Sequence, residues 1–175
     1  MTLRFYLVET KLGWIGLVLS PRGLRATTLP RPSRDDALRE VAEMGGVEPA
    51  SQADAGDIAR RVKALAEGEP AALDGVIDWQ DISGFRRAVM EEALRIPRGE
   101  TRSYGWLAES VGRPRAARAV GRVMATNPLP IVVPCHRVIG SDGSLRGYGD
   151  SGRGRSAAGL AMKAALLRAE GARVV

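Results

Sequence analysis

The 175-residue chain holds one cysteine, Cys135, and one histidine, His136, side by side in the run Pro134-Cys135-His136-Arg137-Val138. A thiol attacks carbon as its thiolate, and a neighbouring imidazole or guanidinium makes that thiolate available near neutral pH. Pro134 biases Val133 toward extended backbone and can open a helical turn, which would set Cys135 near free backbone N–H groups. These residue types fit a soft nucleophile with its own base. They also fit an inert buried thiol, since free cysteine is among the most buried residue types. A single cysteine excludes an intramolecular disulfide, and one histidine beside it leaves too few soft ligands for structural zinc. No structural zinc is expected. A thiol-based redox sensor would need a resolving cysteine that the sequence does not contain.

Such a nucleophile needs elements that bring it to a substrate. Ser103 can cap a helix over Tyr104 to Val111, Gly112-Arg113-Pro114 makes a short turn, and Arg115 to Ala125 makes a second helix. This is helix-turn-helix spacing. Arg115, Arg118 and Arg122 fall at i, i+3 and i+7 and share a face, while Ala116, Ala117, Ala119 and Gly121 keep the helix thin enough for a nucleic-acid groove. A solvated arginine face on an ordinary helical hairpin would show the same pattern. The charge distribution favours an anionic partner for this half: residues 1–80 carry 10 Lys/Arg against 12 Asp/Glu, and residues 81–175 carry 16 against 8. Arginine outnumbers lysine 23 to 3, which suits bidentate phosphate contacts but also follows from a GC-rich coding bias.

Around these motifs the pattern predicts an α+β chain with two domains. Residues 1–80 read as a small antiparallel sheet with helices: strands at Arg4 to Val8, Gly13 to Leu19 and Leu24 to Leu29, then helices at Asp36 to Met44 and Asp57 to Glu67. An irregular connector over 70–84 leads into a mostly helical domain, residues 81–175, which opens with a helix over Phe85 to Ile96. Prolines 128, 130 and 134 bracket Ile131-Val132-Val133 as a short buried strand. A last helix spans Ala157 to Ala169 and leaves Glu170 at its end, where the macrodipole disfavours a carboxylate by about 0.3–1 kcal/mol. A cationic or imidazole N–H partner would offset that cost. No apolar run approaches the ~18–20 residues of a membrane span, and charged residues at Glu9 and Lys11 interrupt any signal-like stretch, so a cytoplasmic protein is expected.

The run Pro-Cys-His-Arg-Val after Asn127-Pro128-Leu129-Pro130, shortly after an arginine-faced helix-turn-helix, resembles the O6-alkylguanine-DNA alkyltransferase family. The match covers about residues 83–148 in unbroken order and resumes at 159–171. The resemblance implies a DNA repair protein that moves an alkyl group from guanine O6, or from O4-alkylthymine as an allied lesion, onto its own cysteine. Transfer happens once, irreversibly, without cofactor or metal, by a monomer on double-stranded DNA. It implies Cys135 as acceptor, His136 as base through a water, Glu170 as the group that orients His136, and Tyr104 as an aid to nucleotide rotation and proton delivery. Arg118 would enter the duplex in place of the extruded base, with Arg115 and Arg122 as further DNA contacts and Asn127 as hinge. Tyr148, Pro134, Val138 and Met124 would line the guanine pocket. Trp106 is expected in the core.

Two departures from the family pattern stand out. About eight residues, Asp150 to Ala157, intervene before Gly159-Leu160-Ala161-Met162-Lys163, and Ala165 stands where a bulky aromatic is common. The inserted Gly149 to Ser156, with Arg153 and Arg155, is expected to be loosely ordered and to add a phosphate contact. The competing reading is a non-catalytic lesion-recognition or regulatory DNA-binding protein on the same scaffold. Retention of Cys135, His136 and Glu170 favours the enzyme.

Overall fold

The computed structural model describes residues 2–148 and 156–173; Gly149–Arg155, which carry most of the expected insertion, lie outside the described residues. The chain divides into two compact units, one of Met1–Trp79 with Pro128–Val132, the other of Gln80–Asn127 with Val133–Val175. Pro128–Val132 thus belong with the first unit, although the sequence pattern runs them on with the residues around Cys135.

In the first unit β1 (Leu3–Thr10), β2 (Gly13–Ser20) and β3 (Gly23–Thr27) form an antiparallel meander. Its turns use glycines at positive φ, Gly13 at 126° and Gly23 at 131°, a region that side-chain-bearing residues avoid. A short β4 (Gly46–Pro49), not expected from sequence, pairs parallel to β1 and completes the order β3-β2-β1-β4. The central strand β2 buries Ile15, Leu17, Val18 and Leu19, so its sequence is a continuous apolar run rather than an alternation. The helices α1 (Arg34–Glu43) and α2 (Gln52–Ala66) start earlier than their apolar residues suggest, because Ser33 and Ser51 each accept the N–H three residues on, from Asp36 and Asp54. Thr27 ties in the distant Pro128–Val132: its N–H donates to Pro128 O at 2.9 Å and its hydroxyl to Pro130 O at 2.8 Å.

The second unit contains α3 (Gly84–Leu94), β5 (Arg102–Ser103), α4 (Tyr104–Ser110), α5 (Ala117–Ala125), a single 3-10 turn at Cys135–Arg137, β6 (Val138–Ile139) and α6 (Ala157–Ala169). The strands β5 and β6 pair in parallel, Arg102 with Val138 and Ser103 with Ile139, which sets the start of α4 beside the segment that follows the cysteine. Three expectations are corrected. Ile131–Val133 is no strand: Ile131 turns the chain with φ of 74°, a left-handed conformation held by a fully packed side chain. Arg115 precedes α5, so the arginine face on that helix is Arg118 and Arg122 alone. Trp106 is only partly buried, with the Arg102 guanidinium over its ring at 5.3 Å; Leu107 and Ala108 are the buried residues of α4. No described helix is long and apolar enough to cross a membrane.

At Gly16 on β2 an added Cβ would lie 2.2 Å from Val41 Cγ1 on α1 and 3.1 Å from Thr28 Cγ2. Gly16→Ala is expected to lower stability by about 1–3 kcal/mol through overpacking. Urea unfolding reads this as a lower midpoint at unchanged slope; an unchanged midpoint would mean that the strand–helix contact has slack.

Candidate active site

The site is built around a carboxylate buried at a helix end. Glu170, 5% exposed, is the C-cap of α6, where free carbonyls repel it. Two partners from the 3-10 turn compensate. Arg137 grips both carboxylate oxygens, Nε to Oε2 at 2.9 Å and Nη2 to Oε1 at 2.7 Å, and His136 Nε2 lies 2.8 Å from Oε1. The remaining Arg137 nitrogen, Nη1, donates to Ile96 O, just beyond α3, at 2.6 Å. Burial alone would raise the Glu170 pKa, but the hydrogen bonds from His136 and Arg137 outweigh it and bring the carboxyl down to about 2. Burial holds the His136 imidazole below its ordinary value despite Glu170. His136 is therefore neutral at pH 7, with Nε2–H donating to the carboxylate. That assigns the free lone pair to Nδ1, a buried atom with no hydrogen-bond partner among the described residues.

Cys135 opens the same turn, following Pro134 as the sequence suggests. Two of the groups that the sequence offers for a thiolate are engaged elsewhere, however. Its N–H is engaged by Val133 O at 2.7 Å, and Arg137 is committed to Glu170 and Ile96. Burial pushes the thiol above its ordinary pKa, and three groups pull it partly back: the Asn127 amide, the Lys163 charge and the Tyr148 hydroxyl. Asn127 Nδ2 donates to Sγ at 3.2 Å and to Val133 O at 2.9 Å, bridging the end of α5 to the cysteine segment. The Tyr148 hydroxyl makes no hydrogen bond of good geometry but lies within electrostatic reach of the sulfur, and burial raises its pKa well above 10. Its ring stands edge-on to His136, centroids 6.5 Å apart.

Lys163 is the cation that sequence reading missed. Fully buried on α6, it donates from Nζ to Val138 O at 2.6 Å and Leu145 O at 2.7 Å, and lies 6.0 Å from the ring centroids of both Tyr104 and Tyr148. Burial lowers its pKa to about 8, against the upward pull of Cys135. A signal was present: Lys163, Leu166, Leu167 and Glu170 share one helical face, and all four are buried. Tyr104 begins α4 under the Ser103 cap and faces α5 at Gly121, where an added Cβ would lie 3.9 Å from its ring. Burial raises its phenol pKa, Cys135 adds to that, and Arg146 opposes it.

The structure therefore brings Cys135, His136, Glu170, Asn127, Tyr104 and Tyr148 into one cluster with Arg137 and Lys163. Pro134, Val138 and Met124 are buried in the same unit. Arg118 and Arg122 are exposed on α5, and Arg115 is exposed in the turn before it. Among the described residues no three His, Cys, Asp or Glu side chains gather into a metal-binding group.

A single buried cysteine with a histidine–carboxylate pair, next to a helix-turn-helix, is the layout of a DNA alkyltransferase. A family model described as 6-O-methylguanine DNA methyltransferase, DNA binding domain, matches residues 84–172, and the chain belongs to this family. It is 43% identical over 113 residues to the methylated-DNA–protein-cysteine methyltransferase of Mycobacterium tuberculosis, covering 65% of this chain and 63% of that protein's length. The Shigella flexneri protein of the same name is 39% identical over 126 residues, 72% of this chain and 69% of its own. In structure, the chain resembles the Mycobacterium tuberculosis OGT in complex with DNA, with a TM-score of 0.72 and 34% identity over 95% of this chain and 92% of that one.

The Glu170 shift has a direct consequence for acid stability. A carboxyl lowered from 4.5 to about 2 contributes stability that is complete above pH 4.5 and lost as pH falls toward 2. Glu170→Gln is expected to lower stability at neutral pH and to flatten its decline across that acid window. Equal slopes for variant and parent in acid titrations followed by circular dichroism would contradict the assignment.

Proposed function

We propose that this protein repairs DNA by direct reversal, transferring an alkyl group from O6-alkylguanine to Cys135 in a single turnover. The observation that carries the reading is the Cys135–His136–Glu170 arrangement with an unengaged imidazole Nδ1. The thiol proton passes to Nδ1 through one water, and Glu170 and Arg137 stabilise the imidazolium that results. The thiolate attacks the alkyl carbon in line: the S–C bond forms, the C–O bond breaks, and the electron pair moves onto the purine. A proton from the Tyr104 hydroxyl neutralises the departing guanine. The thioether cannot be reversed by the same groups, so each chain acts once. No cofactor takes part in this scheme.

Double-stranded DNA is the proposed partner, read by a monomer in the cytoplasm. The alkylated carbon lies within the base stack, so the nucleotide must be extruded before the sulfur can reach it. Arg118, at the exposed start of α5, fills the gap in the duplex, with Arg122 and Arg115 on the phosphates. Tyr148, Pro134, Val138 and Met124 wall the extruded base. O4-alkylthymine fits the same chemistry, because it presents an alkyl aryl ether at a similar edge.

Incubation with DNA containing O6-methylguanine is expected to add about 14 Da to the peptide holding Cys135, at about one equivalent per chain. Cys135→Ser is expected to bind DNA and transfer nothing. Binding without any mass gain in the parent protein would make it a lesion-recognition protein instead.

Arg118→Ala is expected to slow repair of duplex DNA at least about tenfold while leaving reaction with free O6-benzylguanine nearly intact, since only the duplex requires extrusion. Log affinity for duplex is expected to fall steeply with log salt. Equal losses on both substrates would make Arg118 a pocket or stability residue, and salt-independent binding would remove the nucleic-acid reading.

A further inference from the structure

Asn127 Nδ2 donates to the reactive sulfur at 3.2 Å, and Asn127 directly follows the C-cap of α5. The C-cap residue Thr126 is tied back into the helix twice, its N–H at 3.0 Å and its hydroxyl at 2.9 Å from Arg122 O. Its own carbonyl is one of the last acceptors of α5 and has no partner within the helix. That carbonyl accepts from Nη2 of Arg86, on the first turn of α3, 40 residues earlier in the chain. The Arg86 side chain is partly buried: Nε is out of solvent and unpaired, so the stem is packed while one end of the guanidinium reaches the helix terminus. The neighbouring Arg87 pairs instead with Glu91 on its own helix, at 2.8 Å. The same α3 leads to Ile96, whose carbonyl holds Arg137 and through it Glu170.

We infer that Arg86 is a positioning residue: by holding the Thr126 carbonyl it fixes the end of α5, and so keeps the Asn127 amide on the Cys135 sulfur. A guanidinium suits this place because it donates to a terminal carbonyl and its charge complements the negative end of the helix. The inference rests on the proposed role of Cys135 as nucleophile, but it concerns the thiol before any substrate arrives. Removing the anchor frees the Thr126–Asn127 joint and weakens a hydrogen bond that favours the thiolate. The other groups facing the sulfur, Lys163 from α6 with Tyr104 and Tyr148, are left in place, so the effect is a partial one.

The test is alkylation of Cys135 by iodoacetamide across pH, which needs no DNA. Arg86→Met keeps the packed stem and loses the donor. It is expected to slow the reaction about threefold at about pH 7 and to move the pH midpoint upward, because less thiolate is present at a given pH. Arg86→Lys, which retains a cationic donor, is expected to recover most of the rate. In an Asn127→Ala background, Arg86→Met is expected to shift nothing further. A midpoint unchanged by Arg86→Met, or an equal shift with and without Asn127, overturns the inference. Arg86→Gln gives the same reading as a milder truncation if the methionine variant folds poorly. Loss confined to duplex affinity, with a shallower salt slope and normal thiol titration, would make Arg86 a phosphate contact and also overturns it. Failure of the parent protein to accept alkyl groups from DNA would strike the repair function and leave the thiol result standing.

Discussion

The interaction on which the second unit depends is the burial of the Glu170 carboxylate against Arg137. A lone charge in that place would cost several kcal/mol, and removing one partner from a buried pair typically costs about 3–5 kcal/mol, because the other is left uncompensated. The pair therefore constrains everything around it. It fixes the end of α6 against the 3-10 turn, ties that turn to Ile96 through the third Arg137 nitrogen, and holds His136 Nε2 on the carboxylate. Arg137 was first read as an activator of its neighbour's sulfur. In the structure its guanidinium is instead bound to the Glu170 carboxylate, which also accepts from His136.

The thiol environment follows from that division of labour. With Arg137 engaged elsewhere, Cys135 sits in a dry setting that favours the neutral S–H, and the groups able to shift the balance are Asn127, Lys163 and Tyr148. A thiol held protonated is protected from adventitious electrophiles and oxidants, whereas a permanently depressed pKa would expose it. Burial holds His136 below its ordinary pKa, so its imidazole is free to accept a proton. Lys163 contributes in two ways: its charge acts on the sulfur, and its two hydrogen bonds hold the Val138 and Leu145 carbonyls on either side of the tight turn between them.

Much of this was legible in the sequence where local chemistry decides. The meander appears in its glycine turns, α4 in its Ser103 cap, α6 in its full extent from Ala157 to Ala169, and the family in the Pro-Cys-His-Arg-Val run. What was hidden depends on contacts distant in the chain. β4 is four residues whose only reason to be a strand is a parallel partner some forty residues earlier. Ile131 is β-branched and gives no sign of a left-handed turn, so its apolar run read as a strand. Trp106, expected in the core, is only partly buried, because the Arg102 guanidinium lies over its ring. Lys163 gave no sign of its place beside the sulfur, because lysine is normally exposed.

Thr27 and the Pro128–Val132 segment bear on how the chain acquires its structure during synthesis. The hydroxyl of Thr27 waits 103 residues for the Pro130 carbonyl. The sheet therefore cannot complete its hydrogen bonding until the residues around Pro130 have been made. A contact of such sequence separation carries a large loop-closure cost and slows folding. Until it forms, the Thr27 end of the β3 edge lacks its partner, whereas the Leu24 end is already paired with Val76 and Asp78. The helix-turn-helix and its arginines, encoded inside the intervening loop, are short-range structures that do not have to wait for it.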